Sequence, residues 1–307
     1  MTTRLEVTKT YKLFIAGQFP RSESGRSLVV NAADGAVFAH TCRASRKDLR
    51  DAVAAARAAQ EGWRQRSGYN RGQILYRMAE MLEGKRDEFA ESIEACAPAA
   101  KKSGAGKRSK SPNHRLTVSP SQEVAAAIDR LVSYAGWADK FAQVLGCNNP
   151  VNGPYYNFTV PEATGVIGVI APDELPLLGL ISLIAPPLCA GSTVVALGSE
   201  ASPIPTCMFG EVCATSDVPG GVINLLTGQR AELIPHFADH RDIDAIHAAN
   251  LSDAEAKALR AGAGENVKRV TVRKVSADEW LDTEACQNPW WIERFVEMKT
   301  IWHPSGT

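Results

Sequence analysis

Strand-like and helix-like stretches alternate throughout the second half of the chain. The apolar run GVIGVI at 165–170 is followed by the apolar stretch PLLGLISLIAPPLCA at 176–190 and then by STVVAL at 192–197. Similar stretches continue to residue 275. Strands that alternate with helices of ten to fifteen residues indicate βαβ units. The sequence therefore predicts an α/β fold with a mainly parallel sheet that is flanked by helices.

The first part of the chain, residues 1–136, predicts short strands followed by alanine-rich helices. Residues 11–38 are typical of strands and turns. Ser45 is a suitable N-cap for the next helix, and Asp48 stands at the acidic position of a capping box. A further helix is predicted from Glu123 onward.

Residues 100–120 interrupt this pattern with a basic, Ser-, Gly- and Pro-rich stretch. Six Lys or Arg residues and no acid lie between positions 101 and 115. This composition predicts a flexible basic loop. An alternative is a binding module for an anionic partner. Nucleic acid is the less favoured partner, because no aromatic residues are interleaved for base stacking.

Composition excludes several classes of protein. The chain has 307 residues, 45% hydrophobic, and a formal net charge of +0, so no overall field attracts it to nucleic acid or a membrane surface. No apolar run approaches the ~18 residues of a membrane span, and the N-terminus lacks a signal-peptide pattern. Seven cysteines occur without a CxxC pair, so no metal site is predicted. We expect a cytoplasmic protein without membrane contact.

Several segments resemble the NAD(P)-dependent aldehyde dehydrogenases in order and spacing. They are FIAGQF, YAGWADK, GPYYNFTVPEATGVIGVIAP, APPLCAGSTVV, VPGGVINLLTG and ENVKRVTV. The similarity covers residues 11–95 and 123–275. It implies a Rossmann-like cofactor domain, a catalytic domain with a cysteine nucleophile, and a small β oligomerisation domain.

This resemblance divides the chain into four parts. Residues 1–136 open the cofactor-type domain, 137–160 form an oligomerisation hairpin, and 161–275 form the Rossmann-like core. Residues 276–307 then comprise a linker and a C-terminal oligomerisation strand. Because so few residues follow the core, we expect the catalytic domain to be absent. The pattern is similar to the degenerate second half of tandem, two-module aldehyde dehydrogenases.

The positions that would carry the family's chemistry hold unsuitable residues. Aldehyde oxidation needs a thiolate nucleophile, an oxyanion donor and a general base. Glu174 stands where the family has an amide donor, and Arg273 where it has the basic glutamate. Cys286 is the one cysteine after the core, in surroundings that do not match the family's motif. We therefore predict no catalytic residue.

The cofactor positions implied by the resemblance are degenerate as well. The family's adenosine-binding lysine is missing, and two glycines beside the pyrophosphate are replaced by Asn250 and Glu255. A carboxylate beside a pyrophosphate is repulsive. We expect no cofactor, with at most weak NAD(P) binding. The degenerate positions are Ala171, Pro172, Leu197, Glu200, Asn250 and Glu255.

The segments implied to serve assembly survive where the chemical ones do not. The sequence thus predicts a non-catalytic pseudoenzyme subunit that assembles with itself or with a full-length aldehyde dehydrogenase. An NAD(P)-dependent aldehyde oxidoreductase with a rearranged site is the alternative from a different class. The predicted assembly residues are Tyr155, Tyr156, Phe158, Val296, Met298, Ile301 and Trp302.

Overall fold

The structure is a computed structural model that describes residues 7–96 and 118–306. The basic stretch at 101–115 lies outside the described residues, so its predicted flexibility stays a prediction.

The described chain begins with a small sheet. Its middle strand, β3, pairs in parallel with β1 and antiparallel with β2. The strands are β1 (Thr10–Tyr11), β2 (Ser27–Asn31) and β3 (Val37–Cys42). The prediction of short strands in this region is confirmed.

Four helices follow. Ser45 caps the first with a capping box, in which the Asp48 carboxylate accepts a hydrogen bond from the Ser45 backbone N–H at 2.7 Å. The helical stretch after residue 67 is divided into two helices near Gly84, which is the C-cap of the first. The helices are α1 (Arg46–Arg64), α2 (Gly68–Glu83), α3 (Arg86–Cys96) and α4 (Pro120–Trp137).

A five-stranded parallel sheet forms the centre of the molecule and confirms the predicted α/β core. Its strands are β6 (Val166–Ile170), β7 (Thr193–Leu197), β8 (Ile223–Leu226), β9 (Ala245–Ala249) and β10 (Arg269–Arg273), in the order β10-β9-β6-β7-β8. The connecting helices are α6 (Pro176–Ala190), α7 (Ile204–Ala214), α8 (Arg230–Asp239) and α9 (Asp253–Asn266).

Helices cover both faces of this sheet. One hydrophobic cluster joins α6 with α2, α4 and α7, and a second joins α1 and α8 with the opposite face. Every residue of β6, β7, β8 and β9 is buried, as is every residue of α6. Continuous apolar runs are typical of parallel strands that are covered on both sides.

A second, antiparallel sheet contains the segments predicted for assembly. Strands β4 (Cys147–Asn149) and β5 (Tyr155–Ala163) form the hairpin, preceded by helix α5 (Phe141–Leu145). The terminal strand β11 (Val296–Pro304) pairs with β5 along its whole length. The side chain of Val296 is buried in the chain's own core at the base of β11, and its predicted part in assembly stays a prediction.

Residues 276–295 are folded and packed, although the resemblance predicted a linker there. They form the short helices α10 (Ala277–Leu281), α11 (Thr283–Cys286) and α12 (Trp290–Glu293). We call residues 276–295 the covering segment. The Arg130 guanidinium donates to the Trp280 carbonyl at 2.7 Å, and the Tyr134 hydroxyl donates to the Cys286 carbonyl at 3.0 Å. These contacts fasten the covering segment to α4.

Candidate functional site

The carboxyl ends of the parallel strands form the candidate site. In open α/β sheets, ligands bind outside these ends, near the point where the strand order reverses. Here the order reverses between β6 and β9, which flank each other at the centre of the sheet. We define the strand-end crevice as residues 171–175 after β6, 198–202 after β7, and 250–252 after β9.

The structure brings the six predicted cofactor positions to this one edge of the sheet. Ala171 and Pro172 follow β6, and Leu197 is the last residue of β7. Glu200 lies in the loop after β7. The remaining two positions, Asn250 and Glu255, lie directly after β9 and in the first turn of α9. Their grouping agrees with the implied location, while their roles in cofactor binding stay predictions.

Asp173 is bound to the neighbouring loop. Its Oδ1 accepts hydrogen bonds from the Ser199 hydroxyl at 2.7 Å and from the backbone N–H groups of Glu200 and Ala201 at 2.9 and 3.1 Å. The Asp173 carboxylate thus closes a polar network between two strand ends, while its side chain stays 39% exposed.

Arg230 completes this network, and the sequence analysis missed it. Its Nη1 donates to Oδ2 of Asp173 at 2.8 Å, and its Nη2 donates to the carbonyl of Ala171 at 2.6 Å. The backbone N–H of Arg230 donates to the Glu200 carboxylate at 2.8 Å. An arginine in the first turn of α8, just past the end of β8, is the sequence signal that could have indicated a partner for these acids.

Glu174 is exposed, and within the described residues its side chain makes no hydrogen bond. The next residue, Leu175, adopts a left-handed backbone conformation with φ of 50°. Such a conformation costs a leucine roughly 1–2 kcal/mol. Helix α6 begins immediately afterward, with its first N–H groups bound by Glu123. Glu174 therefore points a carboxylate into solvent at the position that the resemblance assigns to an amide donor.

The side chain of Asn250, directly after β9, holds the chain that follows β10 through two hydrogen bonds. Its backbone has a φ of 51°, a region that asparagine tolerates better than most other residues with a side chain. Its side-chain amide donates to the Val275 carbonyl at 2.8 Å and accepts from the Val275 N–H at 2.9 Å. The amide thus joins the ends of β9 and β10, which explains why glycine is not required here.

Glu255 occupies the N-terminus of α9. Its carboxylate accepts hydrogen bonds from the Ser252 backbone N–H at 2.8 Å and from the Ser252 hydroxyl at 2.7 Å. The Ser252 hydroxyl in turn accepts from the Glu255 N–H at 3.3 Å. A helix N-terminus attracts anions through its free N–H groups and its dipole. In this chain a carboxylate of the helix itself takes that place.

Arg273 is half-buried at the end of β10. Its Nε donates to Nε2 of His247 at 2.8 Å, and its guanidinium stacks 3.5 Å from the centre of the Trp291 ring. Burial lowers the pKa of Arg273 to about 10. His247 is fully buried, and burial lowers its pKa well below the usual range. Because its Nε2 accepts from Arg273, its Nδ1 carries the proton and donates to the Leu183 carbonyl at 2.8 Å.

Cys286 lies away from solvent within the covering segment. Its thiol is 3.2 Å from the Glu279 carbonyl oxygen, and burial raises its pKa. A raised pKa reduces the thiolate fraction that a nucleophile requires. All seven cysteines are unpaired, and Cys147 is the exposed one.

Metal-binding clusters and membrane-spanning helices are both absent from the part of the chain that the structure describes. Residues 7–96 and 118–306 contain no group of three or more His, Cys, Asp or Glu side chains placed to hold a metal ion. Among the helices of the same ranges, none combines the length and apolar character that crossing a membrane requires.

Comparison with known proteins shows the family that this chain resembles. Residues 19–278 match the aldehyde dehydrogenase family. The chain is 33% identical over 277 residues to retinal dehydrogenase 2 of Gallus gallus, which covers 88% of this chain and 49% of that protein. It is 30% identical over 276 residues to the cytosolic 10-formyltetrahydrofolate dehydrogenase of Mus musculus, which covers 88% of this chain and 29% of that protein.

Solved structures agree with these matches. The NAD⁺ complex of an aldehyde dehydrogenase from Bacillus cereus superposes with a TM-score of 0.76 at 27% identity, over 87% of this chain and 51% of that one. An aldehyde dehydrogenase from Pseudomonas syringae, in complex with NAD⁺ and octanal, gives 0.73 at 28% identity, over 87% and 50%. This chain spans half or less of the curated relatives named above. By its sequence and its fold, the chain belongs to the aldehyde dehydrogenase family.

Proposed function

We propose that this chain is a non-catalytic aldehyde dehydrogenase-like subunit that assembles with itself or with a full-length aldehyde dehydrogenase. The observation that carries the proposal is the packing of the half-buried Arg273 side chain. At the position implied for the general base stands a guanidinium that is stacked on Trp291 and bonded to His247. A guanidinium cannot accept a proton at neutral pH.

The other chemical positions support the same conclusion. An ionised carboxylate at Glu174 has no proton to donate and would repel a developing oxyanion. The Cys286 thiol is 1% exposed, so an aldehyde could not reach it without opening the covering segment. The rearranged-site alternative would require both obstacles to be overcome at once.

A dinucleotide does not fit the residues at the strand-end crevice. The family and the NAD⁺ complexes of its members imply such a cofactor. Here Glu255 places its carboxylate on the N-terminus of α9, where a pyrophosphate would otherwise find free N–H groups. We therefore propose that NAD(P) binds at most weakly.

The antiparallel sheet provides the surface for assembly. Residues paired across an antiparallel ladder lie on the same face, so Phe158 lies beside Ile301, and Tyr156 lies beside His303. The ring of Tyr155 meets that of Trp302 edge-on, with centroids 5.9 Å apart. Trp302 and Ile301 are 58% and 41% exposed. A strand with exposed apolar residues at the edge of a sheet is a site for pairing with another chain.

Measuring mass in solution tests the assembly. Light scattering on the purified protein, alone and mixed with a full-length aldehyde dehydrogenase, should detect a dimer or larger species in at least one sample. A monomer in every sample over the micromolar range would overturn the proposal. Turnover of an aldehyde with NAD⁺ that disappears in Cys286→Ser would overturn the non-catalytic part.

Two predictions made from the sequence stay predictions. The cytoplasmic location rests on the sequence alone. The anionic-partner alternative depends on the basic stretch 101–115, which lies outside the described residues.

A further inference from the structure

The strand-end crevice is bridged by a single ion pair. Asp173 follows β6, Arg230 follows β8, and the loop 199–201 between them follows β7. The Asp173 and Arg230 side chains approach to 2.8 Å, and the Arg230 side chain is 10% exposed. One carboxylate and one guanidinium thus hold three neighbouring strand ends together.

The carboxylate uses the donors of the crevice. Oδ1 of Asp173 accepts hydrogen bonds from the Ser199 hydroxyl and from two consecutive backbone N–H groups. Oδ2 accepts a hydrogen bond from the Arg230 guanidinium. Consecutive N–H groups that converge with a cation form a concave site for an anion. The Asp173 carboxylate therefore occupies the same hydrogen-bond donors that an anionic ligand would need to bind here.

Arg230 is also engaged in hydrogen bonds with other groups of this chain. Its Nη2 donates to the Ala171 carbonyl, and its own backbone N–H is bound by Glu200. Glu200 thereby occupies the N-terminus of α8 in the way that Glu255 occupies that of α9. The N-termini of α8 and α9 are therefore already bound by carboxylates of this chain.

Negative charge adds to this occupation. Asp173, Glu174, Glu200 and Glu255 surround the crevice, and Arg230 neutralises only one of them directly. An entering dinucleotide would bring a pyrophosphate toward these carboxylates, and like charges a few ångströms apart repel even near a protein surface.

We infer that the Asp173–Arg230 pair is a clasp that excludes dinucleotides from the strand-end crevice and uses the crevice donors to stabilise the fold. This inference concerns the crevice alone and does not depend on assembly. It disagrees with the NAD⁺ complexes of the relatives, and the disagreement is assigned to side chains of this chain rather than to a change in its sheet.

Calorimetric titration with NAD⁺ tests the clasp in the full chain. The variants are Asp173→Ala, which empties the anion position, and Asp173→Ala with Arg230→Gln, which also removes the cation. Glu265→Gln is the matched control, because it removes an exposed carboxylate at the C-terminal end of α9, away from the crevice. Circular dichroism and Tm establish that each variant is folded.

Opening the clasp should raise NAD⁺ affinity over the wild type by about tenfold or more, equivalent to ~1.4 kcal/mol. The gain should be lost when Arg230→Gln is added, and Glu265→Gln should behave as the wild type does. Wild-type binding with a Kd below about 100 µM, in the affinity range of a specific complex, would overturn the inference. So would a folded Asp173→Ala that binds no more tightly than the wild type.

Should Asp173→Ala fail to fold, Asp173→Asn decides the question. It keeps an acceptor oxygen for Ser199 and the backbone donors but removes the charge, so its Tm should fall less and its NAD⁺ affinity should still rise. An unchanged affinity in the folded Asp173→Asn would then overturn the inference. Light scattering on the same samples separates the clasp from the assembly, since an assembled protein that binds NAD⁺ tightly contradicts the clasp and the proposed weak NAD(P) binding but leaves the proposed assembly standing.

Discussion

The guanidinium of Arg273 lies 3.5 Å from the centre of the Trp291 ring. This contact joins the last residue of the parallel sheet to the covering segment. His247 lies in the same cluster, 4.7 Å between ring centroids from Phe295. A sheet position that the family resemblance assigns to catalysis thus packs against Trp291, a residue of the hydrophobic core.

Removing Trp291 should strongly destabilise the protein. Trp291→Ala loses the stacked cation and leaves a cavity beside His247, so we expect a loss of about 3–5 kcal/mol in the free energy of unfolding. Trp290→Ala is the control, because its neighbouring ring is 56% exposed; we expect a change within ~0.5 kcal/mol. Urea unfolding measures both. Equal effects would show that the covering segment does not depend on this contact.

Glu123 should make stability depend on pH. Oε1 of this buried residue accepts from the N–H groups of Leu177 and Leu178 at 2.8 and 3.2 Å, and burial raises the pKa of its carboxyl to about 7. The folded state therefore keeps a proton that the unfolded state releases near pH 4.5. The stabilisation is complete below that pH and is lost as pH rises through about 7.

Chemical unfolding between pH 4 and 8 would measure this effect. Glu123→Gln keeps an acceptor oxygen but cannot ionise, so it should remove this component of the pH dependence, of about 3 kcal/mol in total. Asp129→Asn on the exposed side of the same helix is the control and should leave the pH dependence as it is. A wild-type profile identical to that of Glu123→Gln would contradict the prediction.

The cysteines should differ sharply in reactivity. Cys147 is exposed, whereas the other six thiols are buried. A thiol reagent such as DTNB should therefore react rapidly with one equivalent in the native protein and with all seven after unfolding. Cys147→Ser should abolish the rapid phase, and Cys286→Ser should leave it unchanged. A rapid phase that persists in Cys147→Ser would show that a buried thiol is accessible.

A charge on the antiparallel sheet should weaken assembly. Ile301 lies beside Phe158 on an exposed face, so Ile301→Asp would place an unpaired carboxylate in any interface formed there. We expect the dissociation constant to rise at least about tenfold, since desolvating an unpaired charge costs more than 1.4 kcal/mol. Val29→Asp, at an exposed position in the other small sheet, is the control. Equal dissociation constants would place the interface elsewhere.

The sequence alone determined the α/β core and the family. Apolar strands that alternate with helices leave few alternatives to a covered parallel sheet, because both faces of each strand must be buried. The capping box of Ser45, the hairpin and the terminal strand were also predictable, since local patterns encode them. The assignment of Glu174 and Arg273 to the family's catalytic positions also came from their order in the chain, and it stays a prediction.

Only the tertiary structure decided what those residues do instead. Asp173 and Arg230 are 57 positions apart, and nothing local in the sequence indicates that the ends of β6 and β8 bring them together. The covering segment lacks a long amphipathic pattern, so no local pattern indicated its burial. Its position depends on long-range contacts with Arg130, Tyr134 and Arg273, and contacts between distant residues are specified by packing, which a single sequence does not display.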